Sequence, residues 1–495
     1  MMINNKTLLL PFIILSTLSL SACNEDSTIS DLALEHNLTG NPMADRATVD
    51  IHSAEAQLGK KLFFSKSLGG DRDSACATCH HPMLGGGDAL SLPIGVGAIT
   101  PDLLGSGREH SASAHEHDGG PTVPRNAPTT FNIIGWDQVL FHDGRAESLA
   151  KTDNTNGDDG SGIRTPDTPL GVADTNSGTN LASAQARFPV TSPEEMKGFN
   201  HNDKNNQQIR EFLAARLGGY NDINDLSQSD YWLSQFRMTY NLPSSTAENL
   251  ITEQNIFHLI GEYERSQVFI NSPWKNYLDG DSQALTIEQK RGAILFYSSV
   301  EEGGAGCVSC HSGDFMTDEQ HHNIATPQLG RGKGDGSDNT HDFGRYKETF
   351  LEEDRFAFRT PSLLNVEVTG PWTHAGAYST LEATIRHHLN PSEALINYDF
   401  SQLSQAGIQN LDKITTNTQL AVDKLTADQT EGKSKLAKVN LTDKQVNQLT
   451  TFLKSLTDPC VKSRSCMTPW IPDSVLDADP NGDLLMAVDQ DGVLL

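Results

Sequence analysis

Two Cys-x-x-Cys-His runs constrain this chain more than any other feature: Cys76-Ala77-Thr78-Cys79-His80 and Cys307-Val308-Ser309-Cys310-His311. Two thiols that add to the vinyl groups of one haem, with the next histidine on its iron, are the c-type attachment signal. A structural zinc site would gather the four thiolates and leave each following histidine without a role. A redox dithiol would sit in βαβ patterning, and none is visible. The sequence therefore predicts two covalent c-type haems, one held by Cys76, Cys79 and His80, the other by Cys307, Cys310 and His311.

The surroundings of the two motifs also repeat. Leu58-Gly59-Lys60-Lys61-Leu62-Phe63-Phe64-Ser65 precedes the first, and Arg291-Gly292-Ala293-Ile294-Leu295-Phe296-Tyr297-Ser298 the second. Downstream, Arg125-Asn126-Ala127-Pro128-Thr129 echoes Arg359-Thr360-Pro361-Ser362, and Phe141-His142-Asp143-Gly144 echoes Thr373-His374-Ala375-Gly376. From haem histidine to later histidine is 62 residues in one copy and 63 in the other. Such agreement implies a duplicated domain. Apolar spacing at Ile209, Phe212, Leu213 and Leu217, and Thr-x-x-Gln capping boxes at Thr286 and Thr442, read as helices. The expected fold is mainly α, with two tandem cytochrome c-like haem domains at 51–245 and 246–458. Residues 147–180 are an insertion, of which 151–180, rich in Asp, Asn, Gly and Thr, are expected to be a long surface loop, and 459–495 are an acidic tail. In that tail Asp477-x-Asp479-x-Asn481-Gly482 imitates a calcium loop, but its twelfth position is Val488, where a bidentate Glu is needed.

The N-terminus reads as an export signal over 1–22: Lys6, an apolar stretch from Leu8, then Leu20-Ser21-Ala22-Cys23. That tetrapeptide resembles a lipoprotein cleavage site, so Cys23 is expected to carry lipid. The implied location is the periplasmic side of a bacterial membrane, with Asn24 favouring the outer membrane, and residues 23–50 are expected to be a polar tether. The seven cysteines then close: one for lipid, four for haem, and Cys460 with Cys466 as a disulfide in an oxidising compartment. A net charge of −27 argues against nucleic acid as a partner and suits either solubility or steering of a basic electron carrier.

Near the C-terminal motif, Thr380 caps a helix in which Leu381, Ile385 and His388 share one face. His388 is expected to point at the core and to ligate iron, with His387 on a solvated face.

At this point the chain resembles the bacterial di-haem cytochrome c peroxidase and MauG family over roughly residues 50–458. The resemblance rests on Leu58-Gly59-Lys60, both haem motifs, Arg125-Asn126-Ala127-Pro128-Thr129, Asp143-Gly144-Arg145, Gln185-Ala186-x-x-Pro189 with Glu195-Met196, Asn271-Ser272-Pro273-Trp274 and Thr369-Gly370-Pro371. It implies that hydrogen peroxide is reduced at the N-terminal haem, with Gln185, Pro189 and Glu195 on its distal side. Glu195 suits this chemistry, because peroxide heterolysis needs a base that takes a proton and returns it to the leaving oxygen. It also implies that the C-terminal haem relays electrons through a distal ligand seventeen residues after Pro371, which lands on His388. A calcium ion between the domains would be held by Asn126, Thr369 and Pro371.

Three departures stand out. The distal ligand is His where peroxidases carry Met and MauG has Tyr, which makes this haem harder to reduce than a Met-ligated one. His142 replaces the Trp that relatives commonly carry before Asp-Gly-Arg, so conduction between the haems is rerouted, with Trp136 and Trp372 the aromatic alternatives. The insertion is longer than in simple peroxidases. The expected enzyme is a cytochrome c peroxidase-like oxidoreductase fed by an electron-donor cytochrome or other redox protein. The alternatives are MauG-like oxidation of a partner protein and a di-haem electron-transfer module, the latter if a loop histidine (His110, His115 or His117) blocks the first iron.

Overall fold

The computed structural model describes residues 16–495 apart from 116, 118, 158 and 404, with side chains from Glu25 onward. The side chain of Cys23, expected to carry lipid, and most of the export signal lie outside the described residues. No helix among the described residues is long and apolar enough to cross a membrane.

The fold is mainly helical, with five short strands in two small antiparallel sheets. Val139–Leu140, Ala146–Ser148 and Ile163–Arg164 form one, with Val139 opposite Glu147 and Glu147 opposite Arg164. His321–His322 pairs with Phe358–Arg359 in the other.

The duplication in sequence is a duplication in packing. Helix Ala54–Phe63 crosses helix Glu253–Arg265, and helix Ile287–Tyr297 crosses helix Asp443–Lys454 in the second copy. Each crossing is closed by the same glycine of the repeat. A Cβ on Gly59 would lie 1.9 Å from the Leu259 carbonyl oxygen, and one on Gly292 would lie 2.0 Å from that of Gln448. Only a residue without a side chain lets the two backbones approach so closely. Around the first crossing Leu62, Phe63, Ile256, Leu259 and Tyr263 are buried; around the second, Phe296, Val446, Leu449 and Phe452. Both predicted capping boxes are present, with Thr286 accepting from the Gln289 amide and Thr442 from that of Gln445.

Four expectations are corrected. Helix Glu253–Arg265, placed by sequence in the second domain, belongs to the first core, because its Ile256, Phe257, Ile260 and Tyr263 are buried in one cluster with Leu58, Leu62 and Phe63. The stretch read as a free tether is docked instead. Helix Ser16–Glu35 lies against Ile287–Tyr297, with Ile29 buried and ion pairs from Glu25 to Arg291 and Asp26 to Lys290. Polar composition concealed this because the partner face supplies matching cations. The insertion is not simply a surface loop. Its Ile163 and Thr165 are fully buried, and Asn156 donates to the Trp136 carbonyl at 2.8 Å. The acidic tail returns to the first domain, where Asp477 pairs with Lys60 at 3.0 Å and Asp483 with Arg72 at 2.7 Å. These two carboxylates are thus neutralised by side chains. Cys460 and Cys466 are joined in a disulfide with Cα atoms 5.3 Å apart.

Candidate haem sites

Each haem histidine is oriented by a backbone carbonyl. His80 Nδ1 donates to Gly86 O at 3.1 Å, and His311 Nδ1 to Met316 O at 3.2 Å. That bond fixes the tautomer and leaves Nε2 as the free ligand atom. Burial keeps both rings neutral, His311 down to about 4 with His388 contributing.

His80 and Cys76 open onto a partly enclosed cavity. Gln185 and Pro189 line it with Trp136, Phe141, Glu264 and Arg359. The helix Leu181–Ala186, capped by Asn180 accepting from the Ser183 amide, carries Gln185, and Pro189 opens the following turn. Glu195 sits in the next turn, Pro193–Lys197, and is not among the lining residues. Its neighbour Met196 places Sδ 4.0 Å from Cys76 Sγ, and the Glu195 charge reaches Cys79. Burial raises the Glu195 carboxyl above its ordinary value, opposed by Arg145 and Lys333. Two thiols and a pre-oriented imidazole, with Cys76 and His80 on one cavity, have the donor set of a covalent haem.

In the second copy His388 lies within electrostatic reach of His311 and donates from Nδ1 to Thr384 O at 2.8 Å, again leaving Nε2 free. His387, expected to be solvated, is fully buried. Its Nδ1 accepts from the Tyr378 hydroxyl at 2.9 Å and its Nε2 donates to Ile324 O at 2.8 Å. With both nitrogens committed it has no lone pair for a metal. The loop Asn323–Ala325, distant in sequence, supplies that carbonyl, so helix periodicity alone could not have found it.

Asn126 meets Pro371 across the halves of the chain, its Nδ2 donating to the Pro371 carbonyl, and Thr369 lies two residues away. Cys310, Asp318 and His322 also converge; His322 bonds Asp318 at 2.8 Å and is raised to about 9, while Lys435 holds the same carboxylate at 2.9 Å. His142, the replacement for Trp, donates to Asn126 O at 2.9 Å and is pushed down to about 3 by burial and nearby cations. Of the two aromatic alternatives, Trp136 lines the first cavity and packs edge-on against Phe315 at 5.3 Å. Trp372 instead packs against the second core. In the histidine loop, His110 and His117 touch at 2.9 Å, and His115 stacks on Phe199.

Sequence reasoning missed Glu264 and a role for Arg359. Glu264 is a buried carboxyl that lines the first cavity, raised to about 8 by burial. Its only signal was a charged residue on the apolar face of an otherwise amphipathic helix.

Tandem helical domains, each presenting a Cys-x-x-Cys-His motif with a carbonyl-oriented histidine, define a di-haem c-type protein. Residues 53–283 match the family model described as di-haem cytochrome c peroxidase. The chain is 28% identical over 339 residues to methylamine utilization protein MauG of Methylorubrum extorquens, covering 68% of this chain and 69% of that one. It is 26% identical over 327 residues to cytochrome c551 peroxidase of Pseudomonas aeruginosa, covering 66% and 69%. Among solved structures, a MauG-like protein associated with microbial copper homeostasis superposes with a TM-score of 0.51 at 21% identity, over 83% of this chain and 92% of that one. The chain is thus similar to the di-haem cytochrome c peroxidases and to MauG, which are oxidoreductases.

Proposed function

We propose that this chain reduces hydrogen peroxide at the haem held by Cys76, Cys79 and His80, using electrons that enter through the haem of Cys307, Cys310, His311 and His388. The observation that carries the reading is the cavity lined by His80, Gln185 and Pro189, with Glu195 in the adjoining turn. When bound, the haem supplies the redox chemistry that cleaves the oxygen–oxygen bond. His80 holds its Nε2 towards the cavity through the Gly86 bond. Glu195 takes a proton from the oxygen nearer the site and returns it to the leaving oxygen. Gln185 orients the peroxide by hydrogen bonding. Around the second site His388 and His311 would hold the haem iron, and bis-histidine ligation would select a lower-potential donor than a Met-ligated site would accept. The donor is a small redox protein, and the −27 charge favours one with a basic face.

Asn126, Thr369 and Pro371 are the calcium ligands in this reading, through the Asn side-chain oxygen and backbone carbonyls. The protein acts on the periplasmic side of a bacterial membrane, anchored by lipid on Cys23. A second reading, peroxide-dependent oxidation of a partner protein, draws support from the 28% identity to MauG. Mixing haem-loaded protein with hydrogen peroxide and a reduced donor tests the first: turnover that disappears in Glu195→Gln supports it. Turnover unaffected by that change removes Glu195 from its role, and none in the wild type leaves electron transfer alone.

A further inference from the structure

The two copies of the repeat carry corresponding arginines with opposite fates. Arg125, in the first copy, is saturated: Nε and Nη2 donate to Asp342 at 2.6 and 2.7 Å, and Nη1 donates to Asp143 at 2.6 Å. Arg359, in the second copy, has no carboxylate within ion-pair distance among the described residues. Its Nε and Nη1 are buried and make no hydrogen bond.

The surroundings do not resolve this. The Arg359 guanidinium lies 3.5 Å from the centroid of the Trp136 ring, a cation–π contact that occupies its face and leaves its N–H edge bare. Glu319 and Asp143 act on it only through their longer-range fields. The Glu319 oxygens are taken by the backbone amides of Asp137 and Gln138 at 2.7–3.1 Å. A buried cation with unmet donors is costly unless an anion joins it. The position is fixed as well, since the Arg359 amide donates to His142 O at 2.8 Å and the strand pairs with His321. The side chain lines the same cavity as Cys76, His80, Gln185 and Pro189.

We propose that Arg359 binds a propionate carboxylate of the haem attached at Cys76 and Cys79, so that the second half of the chain supplies the cation for the haem of the first. The guanidinium edge matches a carboxylate with two parallel N–H donors, and its planar fork suits that group better than an ammonium. The charge beside the haem favours the reduced state, which raises its potential. It also ties the haem to the strand that packs on His142 and Trp136, at the junction of the two halves. The proposal rests on the haem reading of the first motif.

The test uses the haem-loaded full chain as wild type, Arg359→Gln and Arg359→Lys. A haem count of two per chain comes first; a wild-type chain lacking haem on Cys76 and Cys79 overturns the haem reading and this inference with it. Spectroelectrochemistry then follows each haem separately, and resonance Raman follows the propionate bending band. The expected result is a downward shift of the His80 haem potential in Arg359→Gln, partial recovery in Arg359→Lys, a moved propionate band, and an unmoved His311 haem. An unchanged potential and band in Arg359→Gln, or a shift confined to the His311 haem, overturns it. If Arg359→Gln fails to load haem, Arg359→Lys decides: a moved propionate band supports the proposal and an unmoved one refutes it.

Discussion

Gly59→Ala is a test of how the first haem domain is held together. The added Cβ would lie 1.9 Å from the Leu259 carbonyl oxygen, 2.7 Å from its carbon and 2.9 Å from Tyr263 Cβ, and the first two are backbone atoms that no rotamer change relieves. Ordinary contact requires the helices to part by about 1 Å, and overpacking of this kind costs about 3 kcal/mol at the upper end of its usual range. Alanine returns about 1 kcal/mol through its better helix propensity. The net loss is about 2 kcal/mol, or about 4–8 °C in Tm for a domain of this size. The spacing of Phe63 and Tyr263, now 4.8 Å between ring centroids, shifts with it. Thermal unfolding of the haem-loaded protein, with each haem followed by its own absorbance, reads the effect. The His80 haem should lose its native environment at lower temperature while the His311 haem is little changed. Gly292→Ala should do the reverse, since its Cβ meets Gln448 O at 2.0 Å. An unchanged or raised Tm in both variants would refute the account of the crossings.

Three further outcomes are expected. Glu195→Gln lowers peroxide turnover by about 10²–10⁴-fold with both haems attached, read by steady-state kinetics and haem staining. His388→Ala converts the second haem from low spin to a form open to added ligands, whereas His387→Ala leaves it low spin; electronic absorption and EPR separate the two. Glu264→Gln changes stability with pH. The Glu264 carboxyl sits near 8 in the fold against an ordinary 4.5, so between those values the unfolded chain has released a proton that the native state keeps. Native stability therefore falls as pH rises through that window. The advantage of the Gln variant in denaturant titrations should grow from pH 4.5 to 8 and then level off, and a pH-independent difference would contradict it.

Much of this arrangement was legible in the chain. The haem motifs announce their ligands because covalent attachment demands adjacent residues, and the repeated Gly-containing segments announce the duplication. The face shared by Leu381, Ile385 and His388 follows from local helix geometry, and His388 comes within electrostatic reach of His311. Features decided by distant segments were hidden. His387 is buried because Tyr378 and Ile324 satisfy its ring. The docking of Glu25 and Asp26 depends on Arg291 and Lys290, more than 260 residues away. The boundary near residue 245 was misplaced because helix Glu253–Arg265 reads as amphipathic in either domain, and only its crossing with Gly59 assigns it. The unpaired edge of Arg359 is visible only once its copy, Arg125, is seen to be neutralised by Asp143 and by Asp342 from the other half.

The central claim is peroxide chemistry at the His80 haem, and stopped-flow spectroscopy of the haem-loaded protein tests it most directly. Protein whose second haem has been reduced by one electron is mixed with hydrogen peroxide, for the wild type and for Glu195→Gln. The account predicts rapid loss of the His80 haem signal and re-oxidation of the second haem in the wild type, slowed by at least about 10²-fold in the variant. A wild-type spectrum that does not respond to peroxide, or equal rates in the two proteins, would contradict it.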